Sequence, residues 1–227
     1  MRTIKIDRRR VSTSVLERVV ASLKAGAVVV YPTDTAYGLA ADPANARAVR
    51  RVFAIKGRRA EKQLPLIAGS RESAAAFVRL SGLSLKLAER YWPGPLTIVA
   101  PVRGRSASGA GGTAALRVPA SVWARALANG LGHPITSTSA NLSGRPAIYA
   151  QDGIRRSFAG RRHQPDIFLD AGRLRPRPPS TIVKVSRGKV IILRAGPVKP
   201  ALKRPLKRPV RADDEAIKLR SHGVVKL

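Results

Sequence analysis

The chain has 227 residues, 44% of them hydrophobic, enough for a packed core in one large or two small domains. Lys and Arg number 43 against 13 Asp and Glu, and the resulting formal charge of +30 favours polyanionic partners such as RNA, DNA or nucleotides. A chain without cysteine has no disulfide framework and no thiolate zinc site, and His133, His163 and His222 lie too far apart for a histidine metal centre.

Aromatic residues at 4% argue against a base-stacking platform. An arginine-rich proteome is the bland alternative source of the charge. The first residues are charged and lack the apolar run of a signal peptide, and no segment approaches the ~20 apolar residues that span a bilayer. A cytoplasmic protein with no membrane partner is expected.

Residues 3–6 read as a first strand. Residues 12–24 set Val15, Leu16, Val19, Val20 and Leu23 on one helical face, with Ser12 as N-cap and Gly26 as the stop. Val28, Val29 and Val30 read as a buried strand ended by Pro32. Beyond it Thr33, Asp34, Thr35 and Tyr37 form a tight loop closed by Gly38, at the strand end where α/β sheets place ligands. An ordinary turn with Thr and Asp caps accounts for the same residues.

Residues 43–55 form a second amphipathic helix, with Val49, Val52 and Phe53 inward, ending at Lys56-Gly57-Arg58-Arg59. Residues 64–68 are a short strand in which Pro65 marks an edge position or a strand start. Residues 70–78 and 83–91 read as helices, and Trp92-Pro93-Gly94-Pro95 breaks the chain before a strand at 96–102. The Gly/Ser-rich stretch 103–112 is expected to be mobile. A strand at 114–118 precedes a helix at 121–129 ended by Gly130, then a strand at 134–137. A helix at 151–158 follows, with strands at 167–169 and 181–185. The last of these pairs with 190–193 through Arg187-Gly188. No internal repeat is visible. The boundaries expected are a domain over residues 1–197 and a basic tail over 198–227.

Lys56-Gly57-Arg58 places two cations around a glycine, a polyphosphate clamp or simply a basic helix C-terminus. Ser137-Thr138-Ser139-Ala140-Asn141, with Gly144 nearby, offers hydroxyls and backbone N–H groups to a phosphate or an amino-acid head group, or else a capped loop. Arg117 in an apolar strand is either exposed or a carboxylate partner, and Arg194 carries the same ambiguity. No G-x-S-x-G, cysteine or P-loop motif is present, and no histidine falls within these loops.

In this order the segments resemble the YrdC/TsaC family of threonylcarbamoyl-AMP synthases. The matching pieces are Pro32-Thr33-Asp34-Thr35-Ala36-Tyr37-Gly38-Leu39, Lys56-Gly57-Arg58, Trp92-Pro93-Gly94-Pro95-Leu96-Thr97 and Leu116-Arg117-Val118-Pro119. To these are added residues 137–141 with Ser143-Gly144, Ser180-Thr181-Ile182-Val183, and Arg194-Ala195-Gly196. The resemblance implies a single α/β domain, a twisted mixed sheet around a central concave pocket. It implies a nucleotidyltransferase that joins L-threonine, bicarbonate and ATP into L-threonylcarbamoyl-AMP and pyrophosphate.

By the same resemblance Thr35, Arg117, Ser137 and Ser180 hold threonine, while Lys56, Arg58, Lys62, Thr113, Ser139, Asn141 and Arg194 hold ATP. Lys56 and Arg58 are also the implied catalytic pair. Mg2+ would ride on the triphosphate, without a protein metal site. The implied partners are tRNA and the proteins of the threonylcarbamoyl-transfer machinery.

The sequence departs from the family pattern in four places. Where the family has a Pro, then an Asn or Lys and a Pro-Leu, the run is Arg59-Ala60-Glu61-Lys62-Gln63-Leu64, in which Lys62 can still serve ATP. No histidine occurs in 67–70, Pro179 and Lys184 replace acidic residues, and a basic tail stands where longer members have a second domain. A non-catalytic protein binding structured RNA with the same fold, and a carbamoyl-transferring relative with another acceptor, are the competing readings.

Overall fold

The computed structural model describes residues 1–58, 63–103 and 112–200. In chain order its elements begin β1 (Arg2–Lys5), α1 (Thr13–Lys24), β2 (Val29–Pro32), β3 (Tyr37–Ala40) and α2 (Ala46–Lys56). Then come β4 (Leu66–Ile67), α3 (Arg71–Phe77), α4 (Gly82–Tyr91), β5 (Leu96–Pro101), β6 (Thr113–Arg117) and α5 (Val122–Leu131). The chain closes with β7 (Ile135–Thr136), β8 (Thr138–Ser139), α6 (Gln151–Phe158), β9 (Ile167–Asp170), β10 (Thr181–Ser186) and β11 (Lys189–Arg194).

The strands divide between two mixed sheets. One runs β1-β9-β2-β3-β8 and the other β11-β10-β5-β6-β4-β7. The first is covered on both faces, which is why β2 reads as an unbroken apolar run. Val29 and Tyr31 pack with α1 and α5, while Val28 and Val30 pack with α2 and α6. Phe168 on β9 sends its ring to the α2/α6 side, and its neighbours Ile167 and Leu169 go to the other. The second sheet is packed along one face, where Leu96, Ile98, Leu116 and Val183 meet α3 and α4. Its other face packs on α5 through Ile67 and Ile135 at β4 and β7, and is open to the site over β5, β6 and β10. Consecutive strands β7 and β8 belong to different sheets, so the chain crosses between them at Ser137.

Several boundaries differ from the sequence reading. Gly38 does not close the loop after β2 but pairs with Tyr31 inside β3, so Thr33 to Ala36 form the turn of a β2–β3 hairpin. The helix α5 runs through Gly130, where a Cβ would come within 2.7 Å of Val20; the glycine permits close packing on α1. The stop is Gly132, whose φ of +87° suits a left-handed cap. In α2 the buried face is Ala48, Val52 and Ile55, and Val49 and Phe53 are only half-buried. Ser12 holds the N-cap position of α1 without a capping hydrogen bond. Pro65 precedes β4, which lies inside the sheet between β6 and β7.

The β10–β11 hairpin turns through Arg187 and Gly188 as expected. Its outer strand β11 is a sheet edge on which Ile191, Ile192 and Leu193 are about half exposed. Val198 continues the chain back onto β10, exchanging hydrogen bonds with the Thr181 hydroxyl. Most of the stretch expected to be mobile, residues 104–111, and the tail from 201 on lie outside the described residues.

Candidate active site

A cleft of about 1090 Å³ lies over the open part of the second sheet. Its floor carries Thr97, Ala115, Arg117 and Ile182, which alternate along their strands with the core residues packed on α3 and α4. That alternation resolves Arg117. Its neighbours Leu116 and Val118 enter the core, and its guanidinium enters the cleft.

Arg117 is 6% exposed and faces Asp34 of the hairpin turn, with Nη1 3.1 Å from Oδ1. The two atoms are misaligned for a hydrogen bond, and each is left without a hydrogen-bond partner. A buried donor in that condition calls for an acceptor. A ligand carboxylate supplies one with matching charge.

The turn is tied by Thr33. Its hydroxyl donates to the Ala36 carbonyl at 2.6 Å and accepts the N–H groups of Thr35 and Ala36, both at 3.1 Å. Thr35 is thereby held on the cleft wall. The Tyr37 phenol, in contrast, serves the fold, donating to the Gly172 carbonyl.

On the same side of the floor sits Ser180. Arg194 clamps it, giving Nε and Nη2 to its carbonyl at 3.0 and 2.8 Å and Nη2 to its hydroxyl at 3.0 Å. Gly196 makes this approach possible, because a Cβ there would stand 2.5 Å from the Pro179 carbonyl and the Thr181 nitrogen. Burial and the nearby Arg117 charge lower the Arg194 pKa. Two cations therefore converge on one lobe, a setting that favours an anion between them.

The other lobe is built where α2 ends. Lys56, 4% exposed, donates from Nζ to the Ser139 carbonyl at 2.6 Å, the Asn141 carbonyl at 2.8 Å and Asn141 Oδ1 at 3.3 Å. Asn141 also accepts the Ser139 hydroxyl and donates to the Arg145 carbonyl. Burial, then the Arg58 charge, pulls the Lys56 ammonium down to about 8. Gly57 in the left-handed region ends the helix, and Arg58 after it lines the cleft.

Thr35, Lys56, Arg58, Arg117, Ser137, Ser139, Asn141, Ser180 and Arg194 thus all line one cavity. Thr113 does not. It begins β6 on the same face as Ala115 and Arg117, beyond the lining. Lys62 lies outside the described residues. The sequence reading missed Thr97, whose signal was a lone hydroxyl inside the apolar run of β5. It also missed Tyr149, Arg145 and Arg177, exposed or half-buried positions that carry no motif.

Among the described residues no carboxylate lines the cleft, and no group of three metal-ligating side chains occurs. His133 is engaged elsewhere, 3.5 Å from Asp42. Fold and cleft together define an α/β protein whose site gathers guanidinium and hydroxyl groups around a buried ammonium and offers no nucleophilic thiol.

The profile of the Sua5/YciO/YrdC family, described as "Telomere recombination", matches residues 21–196. A threonylcarbamoyl-AMP synthase of Thiobacillus denitrificans is 39% identical over 176 residues, 75% of this chain and 91% of that protein. The structure of P. abyssi Sua5 complexed with L-threonine is 29% identical, with a TM-score of 0.77 over 86% of this chain and 58% of that one. E. coli YciO shares the fold, with a TM-score of 0.75 over 88% of this chain and 97% of its own at 23% identity. The chain belongs to the Sua5/YciO/YrdC family. It spans somewhat under two thirds of the length of Sua5.

Proposed function

We propose that this chain synthesises L-threonylcarbamoyl-AMP from L-threonine, bicarbonate and ATP, with release of pyrophosphate, for threonylcarbamoyladenosine modification of tRNA. The observation that carries the reading is the pairing of two lobes in one cleft. The Arg117–Ser180 lobe suits an amino-acid carboxylate, the Lys56–Ser139–Asn141 lobe with Arg58 suits a polyphosphate, and Arg194, bonded to Ser180, adds a further cation for the nucleotide. The names of its relatives, threonylcarbamoyl-AMP synthases and an L-threonine complex, support the same assignment.

In this scheme the threonine nitrogen carries CO2 as a carbamate. A carbamate oxygen attacks the α-phosphorus, the bond from that phosphorus to the β-phosphoryl oxygen breaks, and pyrophosphate leaves. No protein nucleophile takes part. The protein contributes proximity and fixed positive charge. Thr35, Arg117, Ser137 and Ser180 hold threonine, with Arg117 on its carboxylate. Lys56, Arg58, Ser139, Asn141 and Arg194 hold the nucleotide, Lys56 chiefly by fixing the Ser139–Asn141 loop. Mg2+ would ride on the triphosphate: among the described residues the cleft lining has no carboxylate, and Asp34 is engaged by Arg117. The setting is cytoplasmic, with tRNA and the transfer proteins receiving the product.

Pyrophosphate release from ATP tests the reading. Turnover is expected only with threonine, bicarbonate and Mg2+ all present. Equal release without threonine, or full activity with serine, overturns it. RNA binding without any release would favour a non-catalytic role.

A further inference from the structure

Behind each of the two cleft serines stands a buried hydroxyl that the mechanism above does not use. Tyr31, fully buried at the C-terminal end of β2, donates its phenol to Ser137 Oγ at 3.0 Å. Thr97, 3% exposed on β5, has its Oγ1 2.8 Å from Ser180 Oγ. The two pairs come from different sheets. They end on serines that line the same cleft.

A hydroxyl has one hydrogen to give and two lone pairs to receive with. Arg194 Nη2 already fills one lone pair of Ser180 Oγ, and a guanidinium cannot accept. The Thr97 hydroxyl has no other partner among the described residues. When it donates to Ser180 it fills the second lone pair, and the serine's own hydrogen is directed into the cleft. Ser137 is also left as a donor, since Tyr31 fills one of its lone pairs and its own hydrogen meets no acceptor among the described residues. Burial pushes that phenol up to about 12, so it remains a donor through the neutral range. A carboxylate, which only accepts, is the group that two such donors beside Arg117 suit best.

We propose that Tyr31 and Thr97 are positioning residues that fix Ser137 and Ser180 as hydrogen-bond donors to the carboxylate of the amino-acid substrate. The inference rests on the proposed reading of those serines as threonine ligands. It predicts selectivity for acceptor groups at this lobe, and it leaves the nucleotide lobe untouched.

The test is calorimetric binding of L-threonine and, separately, of ATP to the full chain and to Tyr31→Phe, Thr97→Val and Thr97→Ser, all near-isosteric changes. Tyr31→Phe and Thr97→Val are each expected to weaken threonine binding about tenfold, the scale of one hydrogen bond to a charged acceptor. Thr97→Ser restores it, and ATP affinity stays constant in all three. In turnover the same variants raise the threonine KM and not the ATP KM. Unchanged threonine affinity in Tyr31→Phe and Thr97→Val overturns the inference. So does equal weakening of both ligands, or Thr97→Ser behaving as Thr97→Val. An unaltered chain that binds ATP but no threonine overturns the proposed function itself, and this inference with it.

Discussion

Lys56 and Arg58 stand two residues apart, yet their side chains are held differently. All three ammonium hydrogens of Lys56 are taken by the 139–141 loop, whereas the Arg58 guanidinium has no hydrogen bond among the described residues and lines the cleft. Removing Arg58 as Arg58→Ala should leave thermal stability unchanged and cost about 2–4 kcal/mol in transition-state stabilisation, read as kcat/KM for ATP. Lys56→Ala should also lower Tm, because it leaves the buried Asn141 carbonyl without a donor among the described residues and removes one hydrogen bond each from the Ser139 carbonyl and Asn141 Oδ1, at about 1–3 kcal/mol. A Tm shift in Arg58→Ala, or none in Lys56→Ala, would reverse these roles. Both residues were legible as a basic pair in the sequence. Their division of labour was not, since it depends on a loop more than eighty residues away. Arg117 was legible as an anomaly in an apolar strand, and only the face it occupies decides what it does. Asp34 was legible only as a loop or capping residue, and its pairing with Arg117 rests on a contact between residues more than eighty positions apart.

The long helices and the β10–β11 hairpin could be read from periodicity and turn chemistry. β3 and β8 could not, because Gly38 and the hydroxyl-rich 137–139 stretch carry turn and loop chemistry where the strands lie. The glycine of α5 misled for a physical reason. At Gly130 the missing Cβ serves packing, and two residues on at Gly132 it serves a left-handed cap. The hairpin carries a testable flaw of its own. Arg187 holds a φ of +48° in a two-residue turn, where asparagine before glycine is favoured. Arg187→Asn should raise stability by about 0.5–1 kcal/mol, visible as a higher urea midpoint at constant m. A lower midpoint would mean that the arginine side chain stabilises the turn by more than its backbone costs.

Two sheets, one buried on both faces and one with an open face over β5, β6 and β10, leave a cleft that no single segment of the sequence announces. Motif order pointed to it, but its depth comes from the chain changing sheets at Ser137. At this scale the charge also matters. Residues 201–227 add Lys203, Arg204, Lys207, Arg208, Arg211, Lys218, Arg220 and Lys226 against Asp213, Asp214 and Glu215. We propose that this segment strengthens contact with tRNA and is not needed for pyrophosphate release. A chain ending at Pro200 keeps the Val198 anchor on Thr181. It should release pyrophosphate like the full chain, while its tRNA affinity falls and the salt slope shrinks by roughly three units. Loss of pyrophosphate release, or an unaltered salt slope, would refute the arm.

The half-exposed Ile191, Ile192 and Leu193 on β11 bear on how the protein behaves in the tube. A strand edge unpaired among the described residues invites a second copy, and natural sheets commonly place lysine there to prevent it. On β11 Lys189 and Arg194 stand only at the two ends of the apolar run, so the main deterrent is long-range, the mutual repulsion of molecules carrying +30. Salt removes such repulsion, since the screening length shrinks to about 3 Å at 1 M. Light scattering should therefore rise as sodium chloride is added, the opposite of the salting-in often expected of basic proteins. Ile192→Lys should keep the solution clear, and scattering that is unchanged by that substitution would clear this edge of responsibility.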